Sequence, residues 1–250
     1  REREISLKTA KGVFNQIKKK YYVKICEPNG NLIRYLRSFK PDVVFNALHG
    51  RYGEDGYVQS ILELEKIKYT HSGVLSSSIA IDKEISKNVF IKKNILTPKY
   101  FKFKFNNFKN KSELKKKIKT KLSFPVVIKP FNEGSSVEVY ICSEKNLFKN
   151  LSKLSSYKEV MIEKYIPGRE IQVAIMGKRK LGAIELVPKR KFYDYQAKYD
   201  VKSKTKHIIP VKISKKKMEE VLNIALKAHK IIGCKGVTRS DFKFYKNKFY

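Results

Sequence analysis

No run of apolar residues in this chain is long enough to cross a bilayer, so a helical membrane span is not expected. A secretory leader is not expected either, because residues 1–4 are all charged and an amphipathic pattern follows them. There is no initiator Met, and the chain opens inside a charged motif, so it reads as a fragment. Cysteines are few and scattered: Cys26, Cys142 and Cys234 form no Cys-x-x-Cys pair and no Cys/His zinc spacing. Reduced thiols in a cytoplasmic protein are the plain reading. Internal repeats and low-complexity linkers are absent too.

What the chain has in excess is positive charge. Its formal net charge is +33 over 250 residues. Such a balance suits a polyanion partner. Lysine is spread along almost the whole chain, however, which equally fits solvated faces in a Lys-rich composition. The expectation is therefore salt-sensitive, weak anion binding and no specific nucleic-acid partner.

Hydrophobic periodicity predicts a helix over 6–20, with Ser6 as its cap. Strands are predicted at Tyr22–Cys26 and Val43–Leu48, with a helix at Val58–Ile67 between turns. That alternation predicts a doubly wound parallel unit. Further on, helices are expected at Asp82–Lys93, Ser112–Lys121 and Asn146–Leu154. Strands are expected at 100–105, 125–130, Val137–Cys142 and Val160–Lys164. Glu170–Met176 and Leu181–Val187 can pair across Gly177-Lys178. The polar, aromatic stretch Lys189–Pro210 reads as a functional lid. Lys215–Ile232 reads as a helix stopped by Gly233, before a last hairpin, Gly236–Phe244 with Lys248–Tyr250.

Five clusters carry chemistry. His49-Gly50-Arg51-Tyr52-Gly53-Glu54-Asp55-Gly56 follows a strand and precedes a helix, the edge of an α/β sheet where ligands bind. Lys129-Pro130-x-x-Glu133-Gly134-Ser135-Ser136 puts a lysine at a strand end before a loop rich in N–H groups and hydroxyls. It is not a Walker A loop, and alone it also fits a snorkelling lysine beside an ordinary turn. Glu163 and Glu170 flank a Pro-Gly turn, as acceptors for a base and a ribose or as plain surface charge. Phe192–Tyr199 offers tyrosines and a lysine for stacking, or simply packs its loop. Arg239 and Asp241 share one strand face, as groups for phosphate and Mg²⁺ or as a surface ion pair.

In this order, and with Glu2-Arg3-Glu4-Ile5-Ser6, Tyr69-Thr70-x-Ser72-Gly73 and Asp82-Lys83, these segments resemble the D-alanine–D-alanine ligase family of the ATP-grasp superfamily. The resemblance runs through essentially the whole chain. It implies an ATP-grasp fold, α/β and α+β, preceded by an N-terminal doubly wound domain. The implied boundaries are 1–80 for an N-terminal substrate-binding unit, 81–165 for a central ATP-grasp subdomain, and 166–250 for a truncated C-terminal one. It also implies ATP-dependent ligation of two D-alanines through an acylphosphate, with ATP and Mg²⁺ or Mn²⁺, in a cytoplasmic homodimer making peptidoglycan precursors.

Carried over by position, Lys83, Lys129, Glu133 and Lys198 would serve ATP, with Glu163 at the adenine and Glu170 at the ribose. Asp241 would hold the metal, and Arg239 would neutralise the transferring phosphoryl group. Glu2 would anchor the first D-alanine with His49. Ser135 and Tyr199 would join Glu2 in a substrate-orienting set, with Ser136 beside the substrate. Tyr199 favours dipeptide formation over D-lactate use. Three departures stand out. The glycine turn expected before Glu2 is not present. Nor is the Glu-x-Asn pair expected after the last strand, so the chain as given is expected to be inactive, though its parent need not be. Glu138 stands where the family usually has Gly, and its carboxylate is expected to point away from phosphates.

Two rivals remain on sequence grounds: a D-alanine–D-lactate or other ATP-grasp carboxylate–amine ligase, and a basic nucleic-acid-binding protein. The diffuse lysines and the acidic Glu54-Asp55 pair oppose the second.

Overall fold

A computed structural model describes residues 2–107, 110–134, 137–188 and 205–250. Ser135, Ser136, Lys198 and Tyr199, with the expected lid segment Phe192–Tyr199, lie outside the described residues.

The first helix, α1 (Arg3–Ile17), begins earlier than periodicity suggests. Ser6 is inside it and does not cap it: its hydroxyl donates to the Glu2 carbonyl at 3.1 Å and accepts from the His49 N–H at 3.0 Å. No strand forms at Tyr22–Cys26. A strand needs a ladder partner, and the Tyr22 ring instead lies 5.5 Å from Phe39 at the end of α2 (Leu32–Phe39). The strand expected over Val43–Leu48 contracts to β1 (Val43–Val44). It pairs in parallel with β2 (Lys68–Tyr69) across α3 (Tyr57–Leu64), as a strand–helix–strand crossover requires. Two further helices follow: α4 (Val74–Ile81) and α5 (Lys83–Lys92). Asp82 caps α5, accepting from the N–H groups of Glu84 and Ile85 at 2.9 Å.

A four-stranded antiparallel sheet has the order β3 (Tyr100–Lys104), β6 (Glu159–Lys164), β4 (Val126–Lys129), β5 (Tyr140–Cys142). β5 starts later than expected because Glu138, at φ +54°, breaks the extended run. Helices α6 (Lys111–Lys121) and α7 (Leu147–Lys153) supply Leu114, Ile118, Leu147 and Leu151 to a core with Val126, Ile128, Val160 and Ile162. The neighbouring strand residues Val127, Lys129 and Glu163 alternate toward the other face.

A five-stranded antiparallel sheet has the order β11 (Lys248–Phe249), β10 (Val237–Tyr245), β7 (Arg169–Met176), β8 (Arg179–Val187), β9 (Lys206–Ile208). Near the end of the stretch Lys189–Pro210, where the sequence shows no clear period, β9 adds to the open edge of β8, and His207 pairs with Leu186 on it. One face of this sheet buries Ile171, Val173, Ile175 and Phe242 against α8 (Lys215–Ile232). Gly233 ends α8 at φ +76°, a left-handed position that suits glycine.

Candidate active site

The His49–Gly56 loop is folded by its own side chains. Asn46 donates to the Gly53 carbonyl at 2.8 Å, and Glu54 accepts the Gly50 N–H at 2.9 Å. Thr9 of α1 meets His49 Nε2 at 2.9 Å, so α1 fixes both the backbone and the ring of His49. Gly50 sits at φ +71°, and a Cβ built there would fall 1.6 Å from Glu2 Oε2. A Cβ on Gly134 would lie 3.9 Å from the other oxygen of that carboxylate. Glu2 is thus enclosed between two glycine loops that are far apart in sequence.

The second group stands on the four-stranded sheet and α5. Lys83 begins α5, and its ammonium donates to the carbonyls of Phe131, at 3.0 Å, and of Glu133. Glu133 is among the residues that line a cavity with Arg51, Asp55, Tyr57, Asp82 and Tyr157. Glu163 on β6 is buried, and two lysines share its carboxylate: Lys87 reaches Oε2 at 3.0 Å and Lys129 hydrogen-bonds Oε1. β4 and β6 are adjacent, which brings Lys129 beside Glu163. Burial pushes the Glu163 carboxyl up, but the Lys129 and Lys87 ammoniums outweigh it and hold it below the usual carboxylate range. Burial, aided by repulsion from Lys129, pulls Lys83 down to about 8. Lys87 is also lowered, by burial first, against the pull of Glu163.

The third group lies on the face of the five-stranded sheet opposite α8. In the antiparallel register Lys243 faces Glu170, Asp241 faces Gln172 and Arg239 faces Ala174, so their side chains share one side. Lys243 Nζ donates to Glu170 at 2.6 Å. Arg239 holds both oxygens of Asp241, at 2.8 and 3.2 Å. Asp241 is partly exposed, whereas Glu170 is largely covered. Glu138 keeps its carboxylate on the Tyr157 hydroxyl.

Sequence reasoning passed over Lys87, Thr9 and Lys243. Lys87 had a signal: it lies four residues after Lys83, one helical turn along the same face of α5. Lys243 had one as well, two residues beyond Asp241 on the same strand face.

Comparison with known proteins gives the same assignment from two sides. A model of the D-ala D-ala ligase C-terminus matches residues 89–250, and one of the D-ala D-ala ligase N-terminus matches residues 33–72. The D-alanine–D-alanine ligase of Pelagibacter ubique (strain HTCC1062) is 63% identical over 251 aligned residues, covering 100% of this chain and 82% of the relative. The crystal structure of the D-alanine–D-alanine ligase from Bacillus anthracis superimposes with a TM-score of 0.84 at 33% identity, covering 100% of this chain and 81% of that one. The same enzyme complexed with ATP gives a TM-score of 0.80 at 29% identity, covering 100% and 80%. No helix among the described residues is long and apolar enough to cross a membrane. By sequence and by fold, the chain belongs to the D-alanine–D-alanine ligase family of ATP-grasp proteins.

Proposed function

We propose that this protein joins two D-alanines into D-alanyl-D-alanine at the expense of ATP, for peptidoglycan synthesis in the cytoplasm. The observation that carries this reading is the buried pairing of Glu163 with two lysines, beside a loop that Lys83 binds and Glu2 approaches. Acceptors for a base and cations for phosphates thereby stand on one side of the four-stranded sheet.

In this reading Lys83 and Lys129 meet the nucleotide phosphates, with Lys198 and Glu133 serving them too. Glu163 faces the adenine and Glu170 the ribose. Glu2 takes the ammonium group of the first D-alanine, with His49 held ready by Thr9 and Ser6. Ser135, Ser136 and Tyr199 complete the orientation of substrate. The carboxylate of that D-alanine attacks the γ-phosphorus, and ADP departs with the electrons of the broken P–O bond. The amine of the second D-alanine attacks the activated carbonyl, phosphate leaves, and the amine's proton passes to solvent. Arg239 neutralises charge on the transferring group; positioning and charge neutralisation supply most of the catalysis.

Asp241 fits a Mg²⁺ or Mn²⁺ ion: Mg²⁺ takes one or two carboxylates and completes its shell with phosphates and water. Its carboxylate is partly exposed and already accepts a cation, Arg239, on both oxygens. When bound, the ion would add charge neutralisation at the phosphates. We propose the unit boundaries 1–80, 81–165 and 166–250, and a homodimer. A D-alanine–D-lactate ligase is the alternative, opposed by Tyr199.

The test is phosphate release, with ATP and Mg²⁺, by the purified full-length protein. Release that requires D-alanine, with D-alanyl-D-alanine as product, is the expected result. Release driven by D-lactate together with D-alanine would favour the alternative. ATP turnover indifferent to every D-amino acid would overturn both.

A further inference from the structure

Lysine 87 belongs to no motif that marks the site, yet it is among the most buried charged groups of the described chain. It stands one turn along α5 from Lys83, and its ammonium takes Glu163 Oε2 at 3.0 Å while Lys129 takes Oε1. It also lies 5.2 Å above the Tyr100 ring, which covers its other side. A buried lysine is tolerated only where it is paired. Here the partner carboxylate already has a second cation, so the pairing needs a separate explanation.

Charge counting supplies it. Lys129 cannot face a nucleotide phosphate and keep full contact with Glu163 at once. If it were the sole counter-ion, each turn toward phosphate would strip a buried carboxylate of its partner, at high cost. Lys87 is anchored on a helix and packed against a ring, so it stays with Glu163 in either case. We infer that Lys87 is a positioning residue of the nucleotide site: it holds Glu163 ionised and oriented, and thereby frees Lys129 for the phosphates. This role rests on the proposed ATP site.

Titration calorimetry of ATP with Mg²⁺, together with thermal melting, tests it on the protein and four variants. Lys87→Met is expected to weaken ATP binding at least tenfold while still melting cooperatively. Lys87→Arg, which keeps the charge, should bind within about threefold of the parent. In a Glu163→Gln background, adding Lys87→Met should cost less than threefold, because the carboxylate to be held is gone. Should Lys87→Met fail to fold, this last comparison carries the test, since the double variant removes both charges of the pair. Unchanged ATP affinity in folded Lys87→Met would overturn the role. So would an undiminished loss in the Glu163→Gln background, or a loss in Lys87→Arg as large as in Lys87→Met. A parent protein that binds no ATP would instead overturn the nucleotide site itself.

Discussion

Two carboxylates of the candidate site, Glu163 and Asp241, are held in opposite ways. On the four-stranded sheet, Glu163 is buried and shared by Lys87 and Lys129, with Lys83 close enough to feel them. On the five-stranded sheet, Asp241 is partly exposed and held by Arg239, its neighbour two residues away on the same strand. Removing one member of a buried pair leaves an uncompensated charge, whereas an exposed pair is screened by water. The same ion-pair chemistry is therefore structural at Glu163 and nearly free to rearrange at Asp241. That difference suits a site in which one end fixes a base and the other accepts a metal and a transferring phosphate.

The sharpest way to break this contrast is Glu163→Ala, which leaves Lys87 and Lys129 buried side by side. Stability should fall by about 3–5 kcal/mol in chemical denaturation. A loss below about 1 kcal/mol would mean that water already reaches the cluster.

Glu2 sharpens the comparison, because glycine backbone encloses it where lysines enclose Glu163. Gly50→Ala puts a Cβ onto the Glu2 carboxylate and adds about 1–2 kcal/mol of left-handed strain. D-alanine-dependent phosphate release should drop at least tenfold, with ATP affinity little changed.

The buried cluster should also respond to pH. The free Lys83 ammonium, pulled down to about 8, is charged below that pH and neutral above it. Phosphate binding that needs the charged form is then present at pH 7 and lost as pH rises through 8. ATP affinity should be about tenfold weaker at pH 9 than at pH 7, following the competent fraction. Lys83→Arg, charged throughout, should flatten that profile in the same calorimetric titration.

The smallest effect belongs to the exposed pair. Asp241→Ala should change stability by only about 0–1 kcal/mol, while phosphate release falls and needs more added Mg²⁺. A large melting shift would contradict the solvent screening of the Arg239–Asp241 pair.

How much of this could be seen in the sequence varies with what stabilises each part. The Lys215–Ile232 helix was legible to the residue, because an apolar stripe buried on a sheet must repeat at helical spacing and Gly233 marks its end. The hairpin of β7 and β8 was legible for a similar local reason, a turn between alternating runs. The N-terminal strands were not, because strand length is set by the neighbour: β1 has two residues paired with β2 and no more. α4 went unseen since Ser76, Ser77 and Ser78 look like a loop. Ser76 is satisfied in the fold by the Gly233 carbonyl at 2.8 Å, a contact from 157 residues away. At the site, glycine loops and the Arg239–Asp241 spacing were visible as patterns. Lys87 had only its spacing from Lys83, and one lysine among so many reads as solvated until β6 is known to bring Glu163 against it.

Whether the buried cluster is where the nucleotide sits can be settled by a crystal structure of the protein with a non-hydrolysable ATP analogue and Mg²⁺. Adenine is expected beside Glu163, phosphates against Lys83 and Lys129, and Lys87 still paired with Glu163. A nucleotide bound in the cavity lined by Arg51 and Tyr57, with Lys129 undisturbed on Glu163, would contradict it.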